Sequence, residues 1–162
     1  MDDNLKEVIA EWKFNQSVTI ELIKGFNDKI IQKKLPRPGI NTFCKHFQEM
    51  IGVQEAYIRG IETGKMDFSI MPADDKLDGK DTCKQLMKKI ESIEKRFNRV
   101  VNTAKVKQKI QWSKDDSKAL IAHITTLCTH EVLHQGQIVA FCYALNIPIP
   151  KYVVEMWSLT QQ

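Results

Sequence analysis

The sequence predicts an all-α protein, a bundle of four long helices followed by a short helical tail. Four stretches of the chain carry apolar residues at helical spacing, and none shows the sustained alternation typical of a strand. With 7 glycines and 5 prolines in 162 residues, the chain has few turns and therefore few, long elements. At roughly 150 residues per domain, residues 1–162 are expected to form a single domain.

The first two predicted helices lie in the N-terminal part of the chain. Apolar residues recur every three or four positions over about residues 3–33, although the polar pair Asn15 and Gln16 interrupts the stripe. Thr42 is the predicted N-cap of the second helix, because its hydroxyl can accept a hydrogen bond from the first turn. Gly64 is the predicted C-cap, since glycine readily adopts a left-handed conformation.

A long link separates the second helix from two further helices. Residues 65–80 contain turn chemistry without periodicity, so this link can carry the chain back along the bundle and make the second and third helices parallel. The third helix is predicted over about residues 81–104. The segment Ser113–Asp116 offers N-caps for a fourth helix that continues to Asn146. An amphipathic tail around residues 153–159 is expected to fold back onto the bundle.

Charge and cysteine content narrow the classes of function. The 24 basic and 20 acidic residues are interspersed, which disfavours a nucleic-acid partner. The acidic N-terminus lacks an apolar signal core, and no apolar run approaches the roughly 20 residues that span a bilayer. We therefore expect a cytoplasmic protein without a membrane partner. The 4 cysteines are widely spread without a CxxC pair, which argues for reduced, buried thiols and against a disulfide framework or a thiolate zinc site.

The histidines are the candidate chemistry of the chain. His123, His130 and His134 lie on one stripe of the fourth helix, and His46 lies on the buried face of the second. A buried imidazole without a partner costs on the order of 1–3 kcal/mol. His46, His130 and His134 on facing helices would form a three-histidine site for a divalent metal, with coordination positions left open for substrate. The alternative is that each is an ordinary hydrogen-bonded side chain, and His123 is expected to be second-shell or partly exposed.

The fourth helix also contains the HExxH motif of zinc metalloproteases. In His130-Glu131-Val132-Leu133-His134, Glu131 would activate a zinc-bound water, and Glu155 would be the third ligand. Such proteases usually present substrate along a sheet edge, whereas the chain upstream of the motif is predicted to be helical. Glu155 also lies beyond a double-proline break. Proteolysis is therefore a minor alternative.

Three segments of the chain resemble the DinB-like (damage-inducible) family, which is related to bacterial thiol-dependent S-transferases. Residues 130–138, HEVLHQGQI, resemble the HxxxHRGQ signature of the last bundle helix. Residues 42–47, followed by 57–60 and 64–68, are similar to the second-helix segment that carries the first metal histidine. Residues 12–15 in the first helix give a looser match.

The resemblance implies a four-helix bundle in up-down-down-up order. It also implies that His46, His130 and His134 bind a divalent metal, most commonly zinc or nickel, and that the protein forms homodimers. In the characterised relatives the metal activates a low-molecular-weight thiol, such as bacillithiol or mycothiol, for transfer to an electrophile or for isomerisation. Gln135 replaces the arginine of the family signature, so any contribution of that cation to an anionic site or an ion pair is absent here.

Five further residues have candidate roles near the metal. Glu131 is either a proton acceptor or an acid that is second-shell or faces solvent. Trp12, Asn15, Tyr57 and Gln137 would line a pocket above the metal, although Trp12 also fits plain core and Gln137 could instead orient a histidine ring. Three functions follow: a metal-dependent thiol S-transferase, a non-catalytic, stress-related metal-binding dimer, or a bundle whose histidines bind nothing.

Overall fold

The computed structural model describes residues 2–73, 76–105 and 107–160 and is mostly helical, so the all-α expectation is confirmed at this level. Four helices exceed 20 residues. The elements in chain order are α1 Asp3–Gly25, α2 Asp28–Ile31, α3 Phe43–Thr63, a 3₁₀ turn Phe68–Ile70, α4 Cys83–Thr103, β1 Lys109–Gln111, β2 Ser117–Ala119, α5 Leu120–Ala144 and α6 Lys151–Met156.

The four long helices pack around one apolar core. α1 contacts α4 and α5, and α3 contacts the same two helices from the other side. Trp12 of α1 stacks on Phe97 of α4, with ring centroids 3.8 Å apart. Phe26, just after α1, packs on Phe43 at the start of α3. These contacts bring the polar side chains of α3 and α5 into the interior, where the candidate site lies.

Both caps predicted for the second helix, which is α3, are present in the structure. The Thr42 hydroxyl accepts a hydrogen bond from the backbone of Lys45, and Gly64 ends α3 with φ of 73°. Thr82 begins α4 with a capping box completed by Gln85. α4 therefore covers Cys83–Thr103, within two residues of the expected limits.

The first helix is shorter than predicted. α1 ends at Gly25, whereas the sequence predicts a helix that continues to about residue 33. Phe26 takes an extended conformation, and Asn27 then caps the separate short helix α2 through a bond from Ile30. Gly25 is required at this break, since a Cβ there would lie 2.2 Å from Cγ of Pro150. The close approach of the C-terminal segment is thus the reason that residue 25 is a glycine.

The predicted start of the fourth helix at Ser113–Asp116 is also wrong. These residues form the turn of a β-hairpin, in which the Ser113 hydroxyl accepts bonds from the backbone of Asp115 and Asp116. Strands β1 and β2 are antiparallel with Ile110 opposite Lys118, and α5 begins only at Leu120. Each strand has three residues, which is too short for an alternating pattern to be recognised in the sequence.

The C-terminal tail folds back onto the bundle as expected. Val153 and Val154 of α6 are buried, and Trp157 contacts Phe14 of α1 edge-on. The four cysteines are free thiols. Within the part of the chain that the structure describes, no helix is both long and apolar enough to cross a bilayer.

Candidate metal centre

Three side chains that can bind a metal meet between α3 and α5. One ligand atom from each of Glu49, His130 and His134 lies within 4.8 Å of the other two. Nε2 of His130 is 3.2 Å from Oε1 of Glu49, and Nε2 of His134 is 2.8 Å from Oε2. Side-chain exposure is 23% for His130, 14% for Glu49 and 7% for His134, so the cluster reaches solvent on the His130 side.

Glu49 is ionised at neutral pH in this environment. Burial raises the pKa of its carboxyl, but the contacts with His130 and His134 outweigh burial and lower the pKa to about 2. Oε2 of Glu49 lies 2.8 Å from Nε2 of His134 and has no other polar partner among the described residues. A buried charged oxygen with a single partner is incompletely satisfied. A cation shared with the two imidazoles would satisfy it.

His46 lies behind His134 instead of within this cluster. Nδ1 of His46 is 3.1 Å from Nδ1 of His134, and both side chains are buried. Burial and the neighbouring charges of His134 and Arg37 lower the pKa of His46 to about 3, so its ring is neutral. In the tautomer that frees Nε2 of His134 for a metal, Nδ1 of His134 carries the proton and donates a hydrogen bond to Nδ1 of His46. The three-histidine ligand set stays a prediction.

The residues present fit a divalent metal. One carboxylate and two imidazoles form a donor set that zinc and related borderline cations use at open, catalytic sites. Nε2 of His46 and Oε1 of Gln137 are among the other buried atoms that lack hydrogen-bond partners in the described residues. Gln137 shares the face of α5 that carries His130 and His134, since residues three and seven apart lie on one side of a helix.

Glu49 is the residue that the sequence prediction missed. A signal was available, because Glu49 follows His46 by three positions and therefore shares its face of α3. An acidic residue on an amphipathic helix usually faces solvent, however, and only the packing of α5 against α3 shows that this one is enclosed.

The structure places other predicted site residues in a second polar cluster, between α1, α3 and α5. We call it the interior polar network. All of its side chains are at most 2% exposed; hydrogen bonds connect five of them, and Gln135 joins the sixth residue, Asn15, through its backbone carbonyl. Its members are Asn15, Gln16, Thr19, Gln54, Glu131 and Gln135. Asn15 and Gln16 interrupt the apolar stripe of α1 because they belong to this network.

Glu131 belongs to this network and is not one of the three clustered metal-ligand candidates. It is 1% exposed, and its Oε1 accepts hydrogen bonds from Thr19 and Gln54. Burial raises the pKa of its carboxyl to about 7, although these two bonds lower it. Glu131 therefore does not face solvent, and its carboxyl is held away from the side that is open at His130.

Trp12 and Tyr57 pack in the hydrophobic core. Trp12 is fully buried against Phe97. Of its two predicted roles, this placement fits a core residue and not a residue that lines a pocket. Tyr57 lies 5% exposed beside the rings of Trp112 and His123. This aromatic group attaches the β-hairpin to α3 and α5.

His123 is fully buried and has partners for both ring nitrogens. Nε1 of Trp112 donates to its Nδ1 at 3.0 Å, and its Nε2 lies 2.9 Å from the carbonyl oxygen of Tyr57. Because an indole only donates, the proton of His123 is on Nε2. Gly60 leaves room for this ring, since a Cβ there would be 3.2 Å from Cε1 of His123. His123 is thus a structural residue and is not partly exposed.

We expect acid to destabilise the wild type more steeply than the His123→Gln protein. Burial lowers the pKa of folded His123, as does the charge of Lys118, although the bond to Tyr57 raises it. The unfolded chain, with a pKa of about 6.5, therefore takes up a proton first as the pH falls. The contribution of His123 to stability is complete above about pH 6.5 and is lost below it, at up to about 1.4 kcal/mol per pH unit.

Urea unfolding of both proteins between about pH 5 and 8 measures this difference, which isolates His123 because the other histidines are common to both. Parallel curves of unfolding free energy against pH would contradict the buried, neutral state of His123.

Comparisons with known proteins add no family to this geometry. No model of a protein family matches the chain, and no curated protein matches it.

Proposed function

We propose that the protein binds one divalent metal ion, zinc or nickel, through Glu49, His130 and His134, and that it is a thiol S-transferase-type enzyme. The observation that carries this proposal is the convergence of one carboxylate and two imidazoles in a half-buried position. The DinB-like resemblance of residues 130–138 supports the same helix as the source of two ligands. A cytoplasmic homodimer that uses a low-molecular-weight thiol and an electrophile completes the proposal.

The same proposal includes an up-down-down-up bundle. Gln48, near the start of α3, donates to Asp81 just before α4. Glu62, near the end of α3, pairs with Arg96 in the second half of α4. These contacts support parallel α3 and α4, which the long link between the two helices allows.

A divalent cation at this site supplies Lewis-acid chemistry, which lowers the pKa of a thiol or a water molecule. The chain contributes the binding groups: Glu49 provides a charged oxygen, and His130 and His134 provide nitrogen ligands. With the proton of His134 on Nδ1, Nδ1 of His46 accepts a hydrogen bond from it and so holds that ring in one orientation. His130 is the most exposed of the three and borders the side from which a thiol and its electrophile would enter.

The position of Glu131 favours a second candidate, a metal-binding, stress-related dimer without turnover. The predicted proton acceptor is held by Thr19 and Gln54 in the interior polar network, so it is not available to a substrate beside His130. The same position argues against an HExxH protease, whose glutamate must reach the metal-bound water. Glu155, the protease's third ligand, is 61% exposed on α6 and pairs with Lys151.

Thiol conjugation distinguishes the enzyme from the binder. We expect metal-loaded wild type to conjugate bacillithiol to at least one member of a panel of electrophiles. The His130→Ala protein should be at least about tenfold slower, because removal of a metal ligand lowers metal occupancy. Equal rates for the two proteins across the panel would contradict the enzyme, and stoichiometric metal in the wild type would then support the non-catalytic binder.

A further inference from the structure

We propose that Glu131 and Gln54 are positioning residues. They hold α3 and α5 in the relative rotation, called the register, that brings Glu49, His130 and His134 together. The inference rests on the proposed metal site. All three ligands lie on just these two helices, and the side chains of Gln54 and Glu131 join the same helices by a buried hydrogen bond.

A single carboxylate oxygen receives bonds from both neighbouring helices. Oε1 of Glu131 accepts from the Thr19 hydroxyl of α1 at 2.8 Å and from Nε2 of Gln54 of α3 at 3.1 Å. Gln54 also donates to Oε1 of Gln16 at 3.0 Å. One turn further along α5, Gln135 donates to the Thr19 hydroxyl at 3.0 Å. α5 is therefore tied to α1 at two successive turns and to α3 at one.

The sequence of α5 couples the network to the ligands. His130 is followed directly by Glu131, and His134 is followed directly by Gln135. Because a helix turns about 100° per residue, α5 presents the imidazoles toward Glu49 and the two network residues toward α1 and Gln54. Rotation of α5 about its axis would break the network and displace both imidazoles together.

Hydrogen bonds define this register more narrowly than apolar packing does. Apolar side chains can repack in several rotations of a helix, whereas a buried polar group is satisfied in few arrangements. Every side chain of the network is buried, and some of its atoms, such as Oε2 of Glu131 and Oε1 of Gln54, already lack partners among the described residues. A shifted helix would leave further atoms unpaired, because water could not replace the lost bonds. The network therefore preorganises the ligands before a metal binds.

The test compares Glu131→Leu with Glu131→Gln by zinc titration against a competing chelator dye, at a temperature where both proteins are folded. Leucine fills the space without accepting a bond, whereas glutamine retains an oxygen for Thr19 and Gln54. We expect zinc affinity to fall at least about tenfold in Glu131→Leu, as is typical for groups that support metal ligands. Glu131→Gln should stay within about threefold of wild type.

A matched core variant separates positioning from stability. Ile90 is buried on α4, which carries no proposed ligand, so Ile90→Val and Ile90→Ala are changes of graded severity away from the site. Of these two Ile90 variants, the one that unfolds at the same urea concentration as Glu131→Leu should bind zinc with the affinity of wild type. If Glu131→Leu does not fold, Gln54→Met removes the bond to Glu131 from the α3 side, and it should weaken zinc binding severalfold.

The outcomes distinguish the two proposals. Failure of wild type to bind zinc would overturn the proposed metal site and this inference with it. Tight binding by wild type together with unchanged affinity in Glu131→Leu or, where that protein does not fold, in Gln54→Met would overturn the positioning role alone. A loss equal to that of the stability-matched Ile90 variant would also overturn it.

Discussion

The Glu49→Ala protein is expected to bind zinc at least about 100-fold more weakly than wild type. A structural zinc site with four ligands contributes roughly 10–16 kcal/mol of binding free energy, which averages to about 3 kcal/mol per ligand, or about 100-fold in affinity. Glu49 is ionised and its Oε2 lies 2.8 Å from His134 Nε2, so the substitution removes the only carboxylate of the cluster. Isothermal or competition titration of chelator-treated protein measures the loss.

Glu55→Ala is the matched control, because Glu55 is exposed on the same helix, and its zinc affinity should equal that of wild type. The HExxH alternative predicts that Glu49→Ala also retains zinc, since its ligands all lie after residue 129. Unchanged affinity in Glu49→Ala would thus contradict the ligand set. His46→Ala should lose less zinc affinity than Glu49→Ala, because His46 acts on the metal only through His134.

The Trp12→Ala protein is expected to lose about 3–5 kcal/mol of unfolding free energy, as is typical when a large aromatic side chain is removed from a core. Trp12 is fully buried between α1 and α4, where it stacks on Phe97 at 3.8 Å with an interplanar angle of 22°. Because domains of this size are stable by about 5–15 kcal/mol, the loss is a large part of the total. Urea unfolding followed by far-ultraviolet circular dichroism measures it.

Trp157→Ala provides the comparison for this prediction, since it removes the same side chain from a site that is 39% exposed. We expect a loss of about 1 kcal/mol there, from the contact with Phe14. A smaller loss in Trp12→Ala than in Trp157→Ala would contradict the placement of Trp12 in the core.

Local signals predict both ends of α3 correctly, whereas the local cap signal at Ser113–Asp116 gives a wrong start for the last long helix. Thr42 and Gly64 delimit α3 because each acts on its own turn. The hairpin that replaces the first turns of the predicted fourth helix depends instead on a distant segment, since Gln111 exchanges backbone bonds with Gly64 and Met66. Such pairing leaves little trace in three-residue strands.

In the candidate site, too, the sequence predicts what depends on neighbouring residues and not what depends on the packing of one helix against another. The positions of His130 and His134 on one face follow from helical spacing, and the sequence was sufficient to predict that they are neighbours. Whether His46 or Glu49 faces them depends on the rotation of α3 against α5, which the sequence does not encode locally. Glu131 was assigned to the histidines because it is adjacent in sequence, but its carboxyl points to Thr19 and Gln54.

Anomalous diffraction from crystals of the zinc-loaded protein tests the metal site most directly. We predict one zinc peak between α3 and α5, with Nε2 of His130 and Nε2 of His134 at about 2.0–2.1 Å and a Glu49 oxygen at about 2.0–2.2 Å. A map with no zinc peak between these helices, or with a peak whose ligands exclude Glu49, would contradict the proposed site.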